Sequence, residues 1–275
     1  MTYPTGIPLL DDIFGGGIPV GLTIIHGEES CGKTCLALSV LSGSLGGYID
    51  LESRADPAFI QRVGPDILHA YPTSGEAAIE AAYTMLNKGV KVVCLDSLEM
   101  MVPLSEMSRQ VGDWEPYAQK RLVVHGLTIL RKLAKEKGAA VLAISQVRIN
   151  PKDRKRKPRS SFALLLKNGC DAILRMSRVQ SVSAYGVMSY AKILAQVERL
   201  LVAPPLREQE IYLWNDRGFD VAFELLRKLE FENILIRKGS YWKYSGSHSL
   251  GPGKDNATET IRKNLNEFRR LLDDS

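Results

Sequence analysis

The stretch GLTIIHGEESCGKT, residues 21–34, restricts the possible fold more than any other part of the chain. Gly21 to Gly27 is the apolar, β-branched run of a buried strand, and TCLALSVLSGSL after Lys33 has the pattern of a helix lying on a sheet. Between them, Gly27-x4-Gly32-Lys33-Thr34 fits a loop whose successive backbone N–H groups point inward around phosphate oxygens. In such a loop Lys33 reaches the β and γ phosphates of a nucleoside triphosphate and the Thr34 hydroxyl ligates Mg²⁺. The expected cradle is Gly27, Glu28, Glu29, Ser30, Cys31, Gly32, Lys33, Thr34 and Cys35.

Strand and helix then alternate. GGYIDLE (Gly46 to Glu52) reads as a short buried strand, a helix is expected from Asp56-Pro57, and SGEAAIEAAYTMLNKG is a helix with an Asn/Lys/Gly stop. VKVVCLDS is a further apolar strand ending at Asp96-Ser97, residues 118–137 form a long amphipathic helix, and Ala139 to Gln146 a third strand. This order predicts a mostly parallel sheet covered on both faces, which binds ligands at the carboxyl ends of its strands. Glu52, Asp96 and Gln146 all stand at such ends. Asp96 is the expected Mg²⁺ partner of Thr34, directly or through water. Glu52 is placed to orient and deprotonate a water in line with the γ phosphate, the alternative being a solvated strand end. Gln146 can hydrogen-bond the γ phosphate and sense it, the alternative being a polar strand cap.

CDAILRMSRV, MSYAKILAQVERLLVA and EIYLW read as further strands. From about Asp220 the pattern changes to helix, short aromatic hairpin, glycine-rich turn and charged helix, which predicts a core over residues 1–219 and a small α+β domain over 220–275. The net charge is only +5, yet residues 147–159, VRINPKDRKRKPR, hold seven Lys or Arg against one Asp. With two prolines and no apolar periodicity this segment is expected to be an exposed loop whose charge tracks a nucleic-acid backbone, or else is simply solvated. It has no aromatic residue; Phe162 lies just after it, so backbone contact is favoured over base reading. No apolar run is long enough to span a membrane, and the four cysteines, Cys31, Cys35, Cys94 and Cys170, form no CxxC pair. Reduced thiols and a cytoplasmic location are expected.

From about Thr5 to its C-terminus the chain resembles the bacterial-type RecA recombinases and their bacteriophage relatives. The resemblance rests on TGIPLLDDIFGGGIPVG leading into GEESCGKT, on YIDLESRADPAF, VVCLDSLEMMVP and ISQVRIN, and on KGSYWKYSGSHSLGPGKDNAT. It implies a RecA-like ATPase core with ATP and Mg²⁺, DNA-stimulated hydrolysis, and a role in homologous recombination and DNA repair. Glu52 matches the family's catalytic carboxylate, Asp96 and Ser97 its second nucleotide motif, and Gln146 the glutamine that couples ATP to DNA. Asp56 and Phe59 match adenine-contacting positions. Residues 104–113 and 148–162 match two loops that hold single-stranded DNA, duplex DNA being a further partner, which assigns DNA contact to Arg109, Arg148, Lys152, Arg154, Lys155, Arg156, Lys157 and Arg159. Subunits are expected to associate head to tail, in a filament or a ring. Where the family sets two lysines from the adjacent subunit against the γ phosphate, VERLLVAPP supplies Arg199, a trans-acting cation, and apolar Leu201. Only about five residues precede the core, so the family's N-terminal docking element is expected to be lacking, and a regulatory or loader ATPase without autonomous filament formation is the alternative reading.

Overall fold

A computed structural model describes residues 1–53, 58, 60, 66–107, 115, 117–147, 162, 167–184, 187–201, 207–244 and 248–273. The chain opens with a two-residue strand, β1 (Thr2–Tyr3), and a short helix, α1 (Pro8–Phe14), followed by β2 (Ile18–Pro19), which pairs with β1. Next come β3 (Gly21–Gly27), α2 (Lys33–Ser42), β4 (Gly46–Asp50), β5 (Leu68–Ala70), α3 (Gly75–Asn87) and β6 (Val92–Asp96). After these follow α4 (Leu104–Met107), α5 (Ala118–Lys137), β7 (Ala140–Gln146), β8 (Ala172–Ala184), β9 (Val187–Leu200), β10 (Arg207–Trp214) and β11 (Gly218–Phe219). The C-terminal part holds α6 (Val221–Phe231), β12 (Ile236–Lys238), β13 (Tyr241–Tyr244), β14 (His248–Pro252), α7 (Gly253–Lys263) and α8 (Leu265–Asp273).

Among the described residues β3 to β11 build one nine-stranded sheet in the order β11-β10-β9-β8-β3-β7-β6-β4-β5. From β8 to β5 all neighbours are parallel, as the strand–helix alternation predicts, while β9, β10 and β11 add an antiparallel extension. β3 is buried at every position because both of its faces are covered. Leu10, Phe14, Leu36 and Leu41 of α1 and α2 pack on one face; Ala78 and Leu86 of α3 and Val123 and Leu127 of α5 pack on the other. The long α5 ends where Gly138 turns left-handed at φ 61°, a conformation open to glycine.

The C-terminal residues have a third apolar cluster of their own, built on Leu225, Leu229, Trp242, Ile261 and Phe268. Here the sequence expectation of a hairpin and a single final helix is corrected. The strands number three, and the charged helix begins at Gly253 and is interrupted at Asn264, whose φ of −129° and ψ of 36° leave the helical region. All four cysteines are free, three of them buried. Among the described residues no helix is long and apolar enough to cross a membrane.

Candidate nucleotide site

The turn after β3 lies close against the sheet. A Cβ on Gly27 would come within 2.1 Å of the Met176 carbonyl of β8, so only glycine allows this approach. Ser30 at φ 56° and Gly32 at φ 85° are both left-handed and curl the backbone into an arc that leads into α2. Such an arc turns its amides towards one point, the arrangement that binds anions. Lys33, the first residue of α2, is only 7% exposed, and its Nζ donates to the carbonyls of Gly27 (3.1 Å) and Glu28 (2.6 Å). The Cys31 thiol donates to the Glu28 carbonyl at 3.0 Å, and burial pushes it up from its ordinary range; burial likewise pushes the Cys35 thiol up to about 11. Both are neutral thiols of the loop, not nucleophiles.

Register brings the strand ends together. Gly27 stands opposite Gln146, and Asp50 opposite Asp96. Asp96 Oδ2 accepts from the Thr34 hydroxyl at 2.6 Å and from the Tyr48 hydroxyl at 3.0 Å. Burial pushes the Asp96 carboxyl up to about 6; the Thr34 and Tyr48 hydrogen bonds oppose that shift, and the charges of Glu52 and Asp50 add to it. Burial and the Asp96 charge push the Tyr48 phenol well above its usual range, so it stays a donor. A buried carboxylate beside a threonine hydroxyl fits a hard divalent cation. Mg²⁺ keeps most of its waters and takes few protein ligands, so a carboxylate and a hydroxyl are a sufficient donor set.

Glu52 lies just beyond β4. Asp50 Oδ1 accepts from the backbone N–H groups of Glu52 (3.0 Å) and Ser53 (2.7 Å), a local turn that carries Glu52 back towards the loop. Its Oε1 accepts from Ser97 Oγ at 2.6 Å and from Gln146 Nε2 at 2.7 Å, so one carboxylate oxygen joins the ends of β4, β6 and β7. Lys33, Thr34, Glu52, Asp96 and Gln146 line a cavity of about 410 Å³ together with Glu29, Ser30, Gly32, Cys35 and Ile144.

A further part of the lining was not foreseen from the sequence. It consists of Arg178, Leu213, Trp214, Asn215 and Gly218, from β8 and the β10–β11 turn. The Arg178 guanidinium donates to the Ser30 carbonyl, and the Arg217 guanidinium lies 5.3 Å from the centre of the Trp214 ring. The NDRG turn after the apolar IYLW was the available signal, but nothing local says that an antiparallel edge folds back onto the loop. Arg199 is on β9 opposite Ile173, its Nε donating to the Cys170 carbonyl at 3.4 Å, and it does not line this cavity. Phe162 is 3% exposed and packs in the core. Asp56, Phe59, Arg109, Arg148, Lys152, Arg154, Lys155, Arg156, Lys157 and Arg159 lie outside the described residues.

Comparison with known proteins agrees with this architecture. The family model described as RecA N-terminal domain matches residues 1–220. Protein RecA of Thermus aquaticus is 32% identical over 282 residues, covering 94% of this chain and 80% of that protein. Protein RecA of Aquifex aeolicus is 31% identical over 285 residues, covering 99% and 81%. The crystal structure of the RadB recombinase superposes with a TM-score of 0.58 at 20% identity, over 79% of this chain and 98% of that one, and shares its fold. With a family model spanning most of the sequence and relatives above 30% identity matched over four fifths of their length, the chain belongs to the RecA family.

Proposed function

We propose that the protein is an ATP-dependent recombinase that binds single-stranded DNA and hydrolyses ATP in response to it. The observation that carries this reading is the shared Glu52 oxygen. Gln146 donates to the residue proposed to act on the attacking water, and it stands immediately before the basic segment proposed to grip DNA. A change at the γ phosphate is thereby felt at the start of that segment, and DNA held there is felt at Glu52.

In this reading the loop amides and Lys33 bind the phosphates, and Thr34 and Asp96 would hold Mg²⁺, which neutralises charge on the β and γ oxygens when bound. Glu52, held by Ser97 and Gln146, orients the attacking water and takes its proton. Trp214 and Asn215, which line the same cavity, are proposed to contact the nucleotide, with Asp56 and Phe59 proposed at the adenine. Arg199 lies off its own chain's cavity, and we assign it to the site of a neighbouring subunit in a head-to-tail assembly. Residues 104–113 and 148–162 are the proposed DNA loops, and residues 220–275 a separate lobe. Relatives bearing the names Protein RecA and RadB recombinase support the recombinase role.

Glu52→Gln keeps the shape of the side chain and an acceptor for Ser97. It is expected to bind ATP within about threefold of wild type while turnover falls by roughly 10² or more, the scale of a lost general base. Hydrolysis by this variant at the wild-type rate would contradict the mechanism.

A further inference from the structure

Tyr48 sits in the middle of β4, where its side chain should do no more than fill the core: it is 1% exposed and packs in the cluster under α2. Phenylalanine would fill that space without burying a hydroxyl, and an unused buried hydroxyl costs stability. The hydroxyl is used once among the described residues, as a donor to Asp96 Oδ2 at 3.0 Å. Register explains the reach. Tyr48 stands opposite Cys94 on β6, and Asp96 is the next residue of β6 on the same face, so the two side chains are diagonal neighbours. On its other side Tyr48 stands opposite His69 of the edge strand β5, whose ring meets it edge-on at 5.8 Å between centroids. The tyrosine ring is therefore fixed by packing, and its hydroxyl has one direction to point.

We propose that Tyr48 is a positioning residue for the metal-holding carboxylate. Tyr48 and Thr34 both donate to Oδ2, which locks the Asp96 side chain and leaves Oδ1, without a hydrogen-bond partner among the described residues, as the oxygen offered to a cation. Tyr48 does not line the cavity; it acts through Asp96. This inference rests on the nucleotide-binding reading above and deepens it.

The test is Tyr48→Phe, read by fluorescence titration with N-methylanthraniloyl-ATP, first in EDTA and then across a MgCl₂ series, with thermal melting alongside. The expected result is unchanged affinity in EDTA, a melting temperature close to wild type, and a roughly tenfold rise in the half-saturating Mg²⁺ concentration, the usual scale for losing a partner behind a metal ligand. An unchanged Mg²⁺ dependence overturns the proposal. So does an equal loss of affinity with and without metal accompanied by a lower melting temperature, which would make Tyr48 a packing residue only. Failure of the wild-type chain to bind the nucleotide in either condition would instead overturn the nucleotide reading itself.

Discussion

Asp11 on α1 accepts a hydrogen bond from the Thr5 backbone N–H at 2.7 Å, yet burial pushes its carboxyl from 3.8 up to about 6. The Thr5 hydrogen bonds and Arg269 oppose this shift, and the Asp12 charge adds to it. Between those two values the folded chain holds more protons at Asp11 than the unfolded chain, so this group's contribution to stability is greatest below 3.8 and is lost as pH rises through about 6. Two pH units correspond to about 3 kcal/mol. Asp11→Asn keeps an acceptor for Thr5 and removes the charge. It is expected to be about 1–2 kcal/mol more stable than wild type at pH 7, the remainder going to a weaker hydrogen bond. In urea unfolding the advantage should shrink as pH falls below 6, and a difference independent of pH would contradict the assignment. At this scale the sequence separates roles unevenly. Asp96, Glu52 and Gln146 stand out as polar residues ending apolar strands, and Thr34 through the Gly-Lys-Thr pattern that opens α2. Tyr48 reads as one more core aromatic, since its hydroxyl finds Asp96 only through the β4–β6 register.

At the scale of elements, β3 and α2 are a rigid frame for the loop, and Gly27 is where the frame has no slack. A Cβ there meets the carbonyl of Met176, which β3–β8 pairing holds in place beside Gly27. Gly27→Ala should therefore cost about 1–3 kcal/mol in unfolding experiments, as other overpacked sites do, and weaken nucleotide binding at least tenfold by tilting the loop. Wild-type affinity in this variant would show that the loop tolerates movement. Elements with a long period or a continuous apolar run were legible: β3, β7 and α5 fall within a residue of their expected bounds, and β6 begins two residues later than expected, at Val92. α1 was not, being a seven-residue helix whose N-cap, Ile7, offers no side-chain acceptor. β1 and β2, two residues each, carry no period at all.

At the scale of the whole molecule the C-terminal part rests on the core through α1 and α6. Lys228 of α6 donates to Asp12 at 2.5 Å and to Glu232 at 2.7 Å, beside an open cleft of about 760 Å³ that also takes in Asp11, Ser39 and Arg269. The parallel order of β3, β4, β6 and β7 sets the loop, Glu52, Asp96 and Gln146 at the carboxyl ends of the strands, and the basic segment follows Gln146 in the sequence. The parallel edge was legible because strand–helix alternation dictates it. The antiparallel wall holding Trp214 was not, because which side of the loop it covers is decided by packing between strands distant in sequence. The central claim is that nucleotide chemistry and the cationic segment are coupled through Gln146. It is tested most directly by ATP hydrolysis measured with and without single-stranded DNA across a salt series, with Lys33→Ala as the blank. Stimulation by DNA that falls away steeply as salt rises is the predicted result, since backbone contacts made by several cations release counterions. Hydrolysis at one rate with or without DNA, at every salt concentration, would contradict it.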